Sequence, residues 1–111
     1  MKTEIQIKPL SVNSAWRGRR FKTSAYEAYE TELFYKLPPL KIPEGDLYLN
    51  VQFGLSSANS DLDNCLKQFI DCLSKKYLFN DRNIIAIYAV KQKVKKGAEH
   101  IKFELLQYKI E

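Results

Sequence analysis

The run from Leu47 to Leu55 constrains the fold more than any other stretch of the chain. Leu47, Leu49, Val51, Phe53 and Leu55 alternate with Tyr48, Asn50, Gln52 and Gly54. A period of two puts one set on each side of a strand, so this strand buries one face. It needs neighbouring strands in a sheet and an apolar layer over its inner face.

Two amphipathic stretches supply that layer. Ser24 and Glu27 match a capping box, in which each side chain satisfies a backbone N–H of the first turn. Tyr26, Tyr29, Leu33 and Leu37 then recur at helical spacing, while Glu27, Glu30 and Glu32 face elsewhere. Pro38 and Pro39 end this helix, because proline lacks an N–H and clashes with the preceding turn. A second helix starts near Asp63 or Asn64, and Leu62, Leu66, Phe69, Ile70, Leu73 and Tyr77 form its apolar stripe. Thr3 to Lys8 reads as a short strand stopped by Pro9, with Ile5 and Ile7 on one face. Asn83–Val94 and Glu99–Tyr108 are β-rich, and Lys95, Lys96 and Gly97 between them predict a hairpin. The order is β-α-β-α-β-β. The expectation is one α+β domain over residues 1–111, a mixed β-sheet with two helices on one face.

With 111 residues the chain is long enough for a core, and 45% hydrophobic with 28% charged residues excludes a disordered tail. The net charge of +5 suggests an anionic partner, either nucleic acid or an acidic surface. No apolar run approaches the roughly 20 residues of a membrane span, and the opening MKTEIQIKPL lacks an apolar signal core, so an intracellular protein is expected. Cys65 and Cys72 agree with this: seven positions apart on a helix is about 10.5 Å, too far for a disulfide.

One cluster carries candidate chemistry. Asp61-Leu62-Asp63-Asn64 stands where a polar loop meets the second helix. Carboxylates at i and i+2 project to the same side of an extended segment. Along the helix Asp63, Lys67, Asp71 and Ser74 share one flank, and Asp81 follows the helix closely enough to fold back towards them. Converging carboxylates suit a hard divalent cation such as Mg²⁺, which activates water and neutralises charge on a phosphodiester. A neighbouring lysine stabilises the extra negative charge of that transition state. Capping by Asp63 and a solvated Lys67–Asp71 pair explain part of the cluster equally well, but leave Asp61, Asn64 and Asp81 unexplained.

The aperiodic loop from Ser11 to Lys22 is the second cluster. It holds Asn13, Trp16, Arg17, Arg19, Arg20 and Lys22. Arginine binds phosphate with two parallel hydrogen bonds, and Trp16 either stacks on a base or tucks into the core. Lys91, Lys93 and Lys95 alternate, as a phosphate track or as guards of an exposed sheet edge. The single histidine, His100, excludes a histidine-based triad or a zinc site and reads as a surface residue of the hairpin. Gly18, Gly45, Gly54 and Gly97 are too scattered for a phosphate-binding loop.

Taken together, these residues resemble the RusA-type Holliday-junction resolvases over about Ile5 to Leu105. The most specific part is Asp61-Leu62-Asp63-Asn64, then Lys67 and Asp71, then Leu78-Phe79-Asn80-Asp81. Pro9-Leu10-Ser11-Val12-Asn13, the basic loop, the helix with Ser24 and Tyr29, and the late Lys91 and Gly97 are similar too. The resemblance implies a metal site of Asp61, Asp63 and Asp81, holding Mg²⁺ with Mn²⁺ as a substitute, and Lys67 as essential for cleavage. It implies a homodimer that binds four-way junctions or other branched DNA by structure and nicks two opposed strands, in the cytoplasm of a bacterial or phage-infected cell. The chain departs from the family in two places. Asn80-Asp81 replaces a usual pair of aspartates, and Ser56-Ser57-Ala58-Asn59-Ser60 stands where some members carry arginines. DNA contact then falls to Asn13, Trp16, Arg17, Arg19, Arg20 and Lys22, with Lys91 and Lys93. Two other functions fit the same residues: a catalytically silent branched-DNA-binding module, and a basic scaffold for a protein partner.

Overall fold

A computed structural model describes residues 2–11, 16–17, 21–57 and 61–109, with backbone only at 16, 17 and 21. Strand β1 (Thr3–Ile5) is followed by two short strands, β2 (Trp16–Arg17) and β3 (Phe21–Lys22), then helix α1 (Ser24–Lys36) and strand β4 (Leu47–Leu55). A 3₁₀ turn (Asp63–Cys65) runs directly into helix α2 (Leu66–Tyr77). A second 3₁₀ turn (Asp81–Asn83) precedes β5 (Ile84–Lys93) and β6 (His100–Gln107).

The alternating run is the centre of a four-stranded mixed sheet of order β1-β6-β4-β5, so the α+β expectation holds. The inward side chains of β4, from Leu47 to Leu55, are all buried, as are Ile101 and Phe103 of β6 opposite them. Both helices cover this face. Tyr26, Tyr29 and Leu33 of α1 and Phe69, Cys72 and Leu73 of α2 complete the core. Phe69 meets Phe53 and Phe103 edge-on, with ring centroids 5.9 and 5.2 Å away. That geometry sets a positive ring edge against a negative ring face. Cys65 and Cys72 are free and buried, and burial pushes their thiols up to about 11 and about 12.

The expected hairpin does not form. β5 pairs parallel with β4, and β6 pairs antiparallel with the other edge of β4, so β4 lies between them. Alternation marks which face a strand buries but not which strand it pairs with. The connection crosses the end of β4, where Val94 N–H donates to Leu55 O at 3.0 Å. Two strand spacings come to only about 10 Å, an easy reach for the 94–99 segment. The parallel β4–β5 pair in turn requires a crossover, and α2 is that crossover.

Three local expectations change. The cap of α1 is Thr23, one residue before Ser24, and its hydroxyl accepts from Tyr26 N at 3.2 Å. The basic loop contains a two-stranded ribbon, with Trp16 opposite Lys22 and Arg17 opposite Phe21. His100 is buried, at 9% exposure, and lies across β4 from Gly54. A Cβ on Gly54 would stand 2.3 Å from the imidazole, so glycine is what lets the ring lie flat there. His100 Nδ1–H donates to Ala98 O (3.2 Å), and Nε2 accepts from Gln52 (3.0 Å), which also donates to Gln92 (2.6 Å). The single histidine therefore ties the crossover loop to the sheet.

Candidate active site

The crossover helix runs beside β5, and a pocket opens between them. Asp63, Leu66, Lys67, Ile70, Asp71, Asp81, Ile84 and Ile87 line it, around a volume of about 340 Å³. Helical spacing explains the α2 side, since positions i, i+4 and i+8 share a flank. A register shift explains the β5 side. Leu47 faces Ile84, but Tyr48 faces Ala86, so the skipped Ile85 allows Ile84 and Ile87 both to wall the pocket.

Asp81 arrives by a sharp reversal. Leu78 ends α2 in the left-handed region (φ 56°, ψ 50°), a conformation usually given to glycine. Asn80 then caps the short turn that carries Asp81, its Oδ1 accepting from Arg82 N at 2.9 Å. Aspartate and asparagine cap about equally well, which accounts for Asn80 in a place where an aspartate would also serve.

The cluster is open in charge as well as in space. Among the described residues Asp63, Lys67, Asp71 and Asp81 make no ion pair, so the Lys67–Asp71 pair considered above is not formed. Capping does not explain Asp63 either. It is the first residue of its 3₁₀ turn, not the residue before it, and no side chain caps that turn.

Asp61 stands apart. It is exposed, does not line the pocket, and accepts from Asn64 Nδ2 at 3.4 Å. The i, i+2 argument requires extended backbone, whereas Leu62 is already helical (φ −60°, ψ −46°). At about 100° per residue, Asp61 and Asp63 then point to nearly opposite sides. Asp71 lines the pocket although the resemblance does not make it a ligand; its position eight residues after Asp63 sets it on the same helix flank.

The donor set fits a hydrated Mg²⁺. The ion takes hard carboxylate oxygens, needs only one or two of them from the protein, and keeps several waters. A closed cage is not built: among the described residues no three His, Cys, Asp or Glu side chains gather closely enough to hold an ion.

On the basic side, Asn13, Arg19 and Arg20 lie outside the described residues, and Trp16 and Arg17 are described in backbone only. Lys22 already has a structural task. Its ammonium is 3.1 Å from Glu30 and 4.9 Å from the centre of the Tyr26 ring, and Glu30 also binds Lys75 at 2.9 Å. Burial raises the Glu30 carboxyl, but the hydrogen bonds from Lys75 and Lys22 outweigh it and hold the group below the usual carboxylate range. Lys91 and Lys93 are exposed on β5, an edge strand, as expected of edge guards and equally of a phosphate track. The positive charge of Lys91 reaches the Cys65 thiol at the start of α2. Lys95 lies beyond the strand, where its carbonyl accepts from Ala98 N at 2.9 Å, so it does not continue their row.

No protein-family model and no curated protein matches this chain. No helix among the described residues is long and apolar enough to cross a membrane.

Proposed function

We propose that the protein is a Mg²⁺-dependent, structure-selective endodeoxyribonuclease that nicks opposed strands of four-way DNA junctions, acting in the cytoplasm as a homodimer. One observation carries this reading: Asp63, Lys67, Asp71 and Asp81 share one pocket and, among the described residues, no ion pair consumes their charges. Asp63, Lys67 and Asp81 are exposed to solvent, so charges of both signs on neighbouring supports are open to meet a phosphodiester. Asp63 and Asp81 would hold the ion, with Asp71 on the same pocket wall, while Asp61 stands off that wall and would join only if binding draws it inward. When bound, Mg²⁺ supplies an activated water and neutralises charge on the phosphate. Lys67 contributes an ammonium to the negative charge that builds on the non-bridging oxygens. Ile84 and Ile87 give the pocket an apolar wall on the β5 side. A four-way junction is two-fold symmetric, so a C₂ dimer offers one such pocket to each of two strands.

Among the described residues no three carboxylates form a preformed cage, which favours a second reading, a silent module that binds branched DNA without cutting it. Incubation with a labelled four-way junction and a linear duplex, with and without Mg²⁺, separates the two. Cutting of the junction alone, and only with the ion, supports the nuclease. Binding without cutting supports the silent module. Absence of binding rejects both and leaves the scaffold.

A further inference from the structure

Gln68 is a polar side chain buried completely, at 0% exposure, beside Phe69, Cys72 and Leu73 on the inner side of α2. Its amide nitrogen spends both hydrogens on backbone carbonyls: Asn64 O at 2.9 Å, one turn back, and Leu10 O at 2.9 Å, 58 residues away in sequence. Its Oε1 is buried and accepts nothing from the described residues. A linear apolar side chain would fill the same space without an unpartnered carbonyl, so core packing alone does not account for an amide here. What the two bonds join is informative. Asn64 closes the acidic turn, and Leu10 leads into the loop that holds Asn13 to Lys22.

We propose that Gln68 is a positioning residue that pins the segment entering the basic loop to the turn that carries the acidic motif. It touches no substrate. It acts through the carbonyls of Leu10 and Asn64, and so fixes where the chain at Leu10 stands relative to the acidic turn. This proposal rests on the nuclease reading for its purpose, but its mechanics can be tested without any activity.

The test is Gln68→Met in the full chain, since methionine is unbranched, of similar length and donates no hydrogen bond. Loss of the two bonds is offset by removal of the unpartnered carbonyl, so the melting temperature should change little. Hydrogen exchange should accelerate about tenfold at the amides of residues 10–11 and 61–65, and stay unchanged elsewhere. Uniformly faster exchange with a lower melting temperature would make Gln68 a packing residue and overturn the proposal. Unchanged exchange at both ends would overturn it too. Should the variant fail to fold, the wild-type protein decides: both Nε2 protons must be protected from solvent in its NMR spectrum, and free exchange there defeats the clamp. Where the wild type cleaves junctions, the variant should lose about tenfold in rate from the saturated complex with affinity nearly kept, as a displaced but bound substrate would. A wild type that cleaves nothing defeats the nuclease reading alone and leaves the exchange result standing.

Discussion

Helix α2 presents two groups of charge that the structure treats in opposite ways. Towards α1, Lys75 and Lys22 converge on Glu30, which is 21% exposed, and every charge has a partner within 3.1 Å. Towards β5, Asp63, Lys67, Asp71 and Asp81 face one pocket and pair with nothing among the described residues. The first arrangement is a clamp between β3, α1 and α2. The second, on the function proposed above, holds its charge for a phosphodiester outside the chain. Types of residue do not separate the two, since both mix lysine with carboxylate. Geometry does, and mutations on each side should separate stability from activity.

The largest effect is expected at the open cluster. On the nuclease reading proposed above, Asp63→Asn or Asp81→Asn removes a ligand charge and keeps the shape. Junction cleavage should be nearly abolished, by about 10³-fold or more, with junction binding and melting temperature preserved. Asp61→Asn should cost clearly less, because Asp61 stands off the pocket wall. Equal losses at all three positions would mean that binding of the ion or the DNA draws Asp61 inward. Wild-type rates in Asp81→Asn would remove Asp81 from the site.

Next comes Lys67→Ala. A positioned cation that meets transition-state charge is worth about 10²-fold in rate, so single-turnover cleavage should fall by that factor. Stability should scarcely move, because Lys67 has no ion pair to lose among the described residues. A drop in melting temperature with normal cleavage would place Lys67 in the same class as Lys75, and the contrast between the two flanks would collapse.

Much of this contrast is legible in the sequence, and the part that is not has identifiable causes. The strand Leu47–Leu55 and the stripe from Leu66 to Tyr77 declare themselves, because each repeats its apolar residues at a regular period. Lys67 falls beside Asp63 and Asp71 for the same reason. The partner of β5 is not legible, because strand pairing is decided by the crossover helix and by a loop that steps over β4. Nor is the departure of Asp61, which turns on the helical backbone of Leu62. Nor is the burial of His100, which depends on a glycine 46 positions earlier lying opposite it in the sheet. Gln68 looks from its spacing like one more surface polar residue of the helix. Only the distant carbonyl of Leu10 gives its amide a reason to be inside.

The clamp should behave as ordinary structure. Glu30→Gln keeps the shape and removes the charge, and should cost about 1 kcal/mol at neutral pH, the scale of a charge-assisted hydrogen bond after solvent screening. The pH dependence has a defined sign. The folded-state value of the Glu30 carboxyl is depressed, so its contribution is present above the unfolded value and is lost as pH falls through the folded one. The melting temperatures of wild type and Glu30→Gln should therefore differ at pH 7 and converge in acid. The cleavage rate from a saturated complex should be the same for both. A difference that persists undiminished to pH 2 would mean that Glu30 acts through packing and not through its charge.

The smallest effect decides to which side Lys22 belongs. The resemblance groups it with the DNA-contacting residues, but the structure gives its ammonium to Glu30 and the Tyr26 ring. At about a third exposed, such a pair contributes a few tenths of a kcal/mol. Lys22→Ala should lower the melting temperature slightly and leave the salt dependence of junction binding unchanged. Arg17→Ala is the paired measurement. If Arg17 neutralises one phosphate, the slope of log K against log salt should become shallower by about 0.9. Lys22→Ala changing the slope by the same amount would mean that Lys22 leaves Glu30 when DNA arrives. The paired flank of α2 would then be a resting state of the binding surface, and Glu30→Gln, by freeing Lys22 in advance, should tighten junction binding.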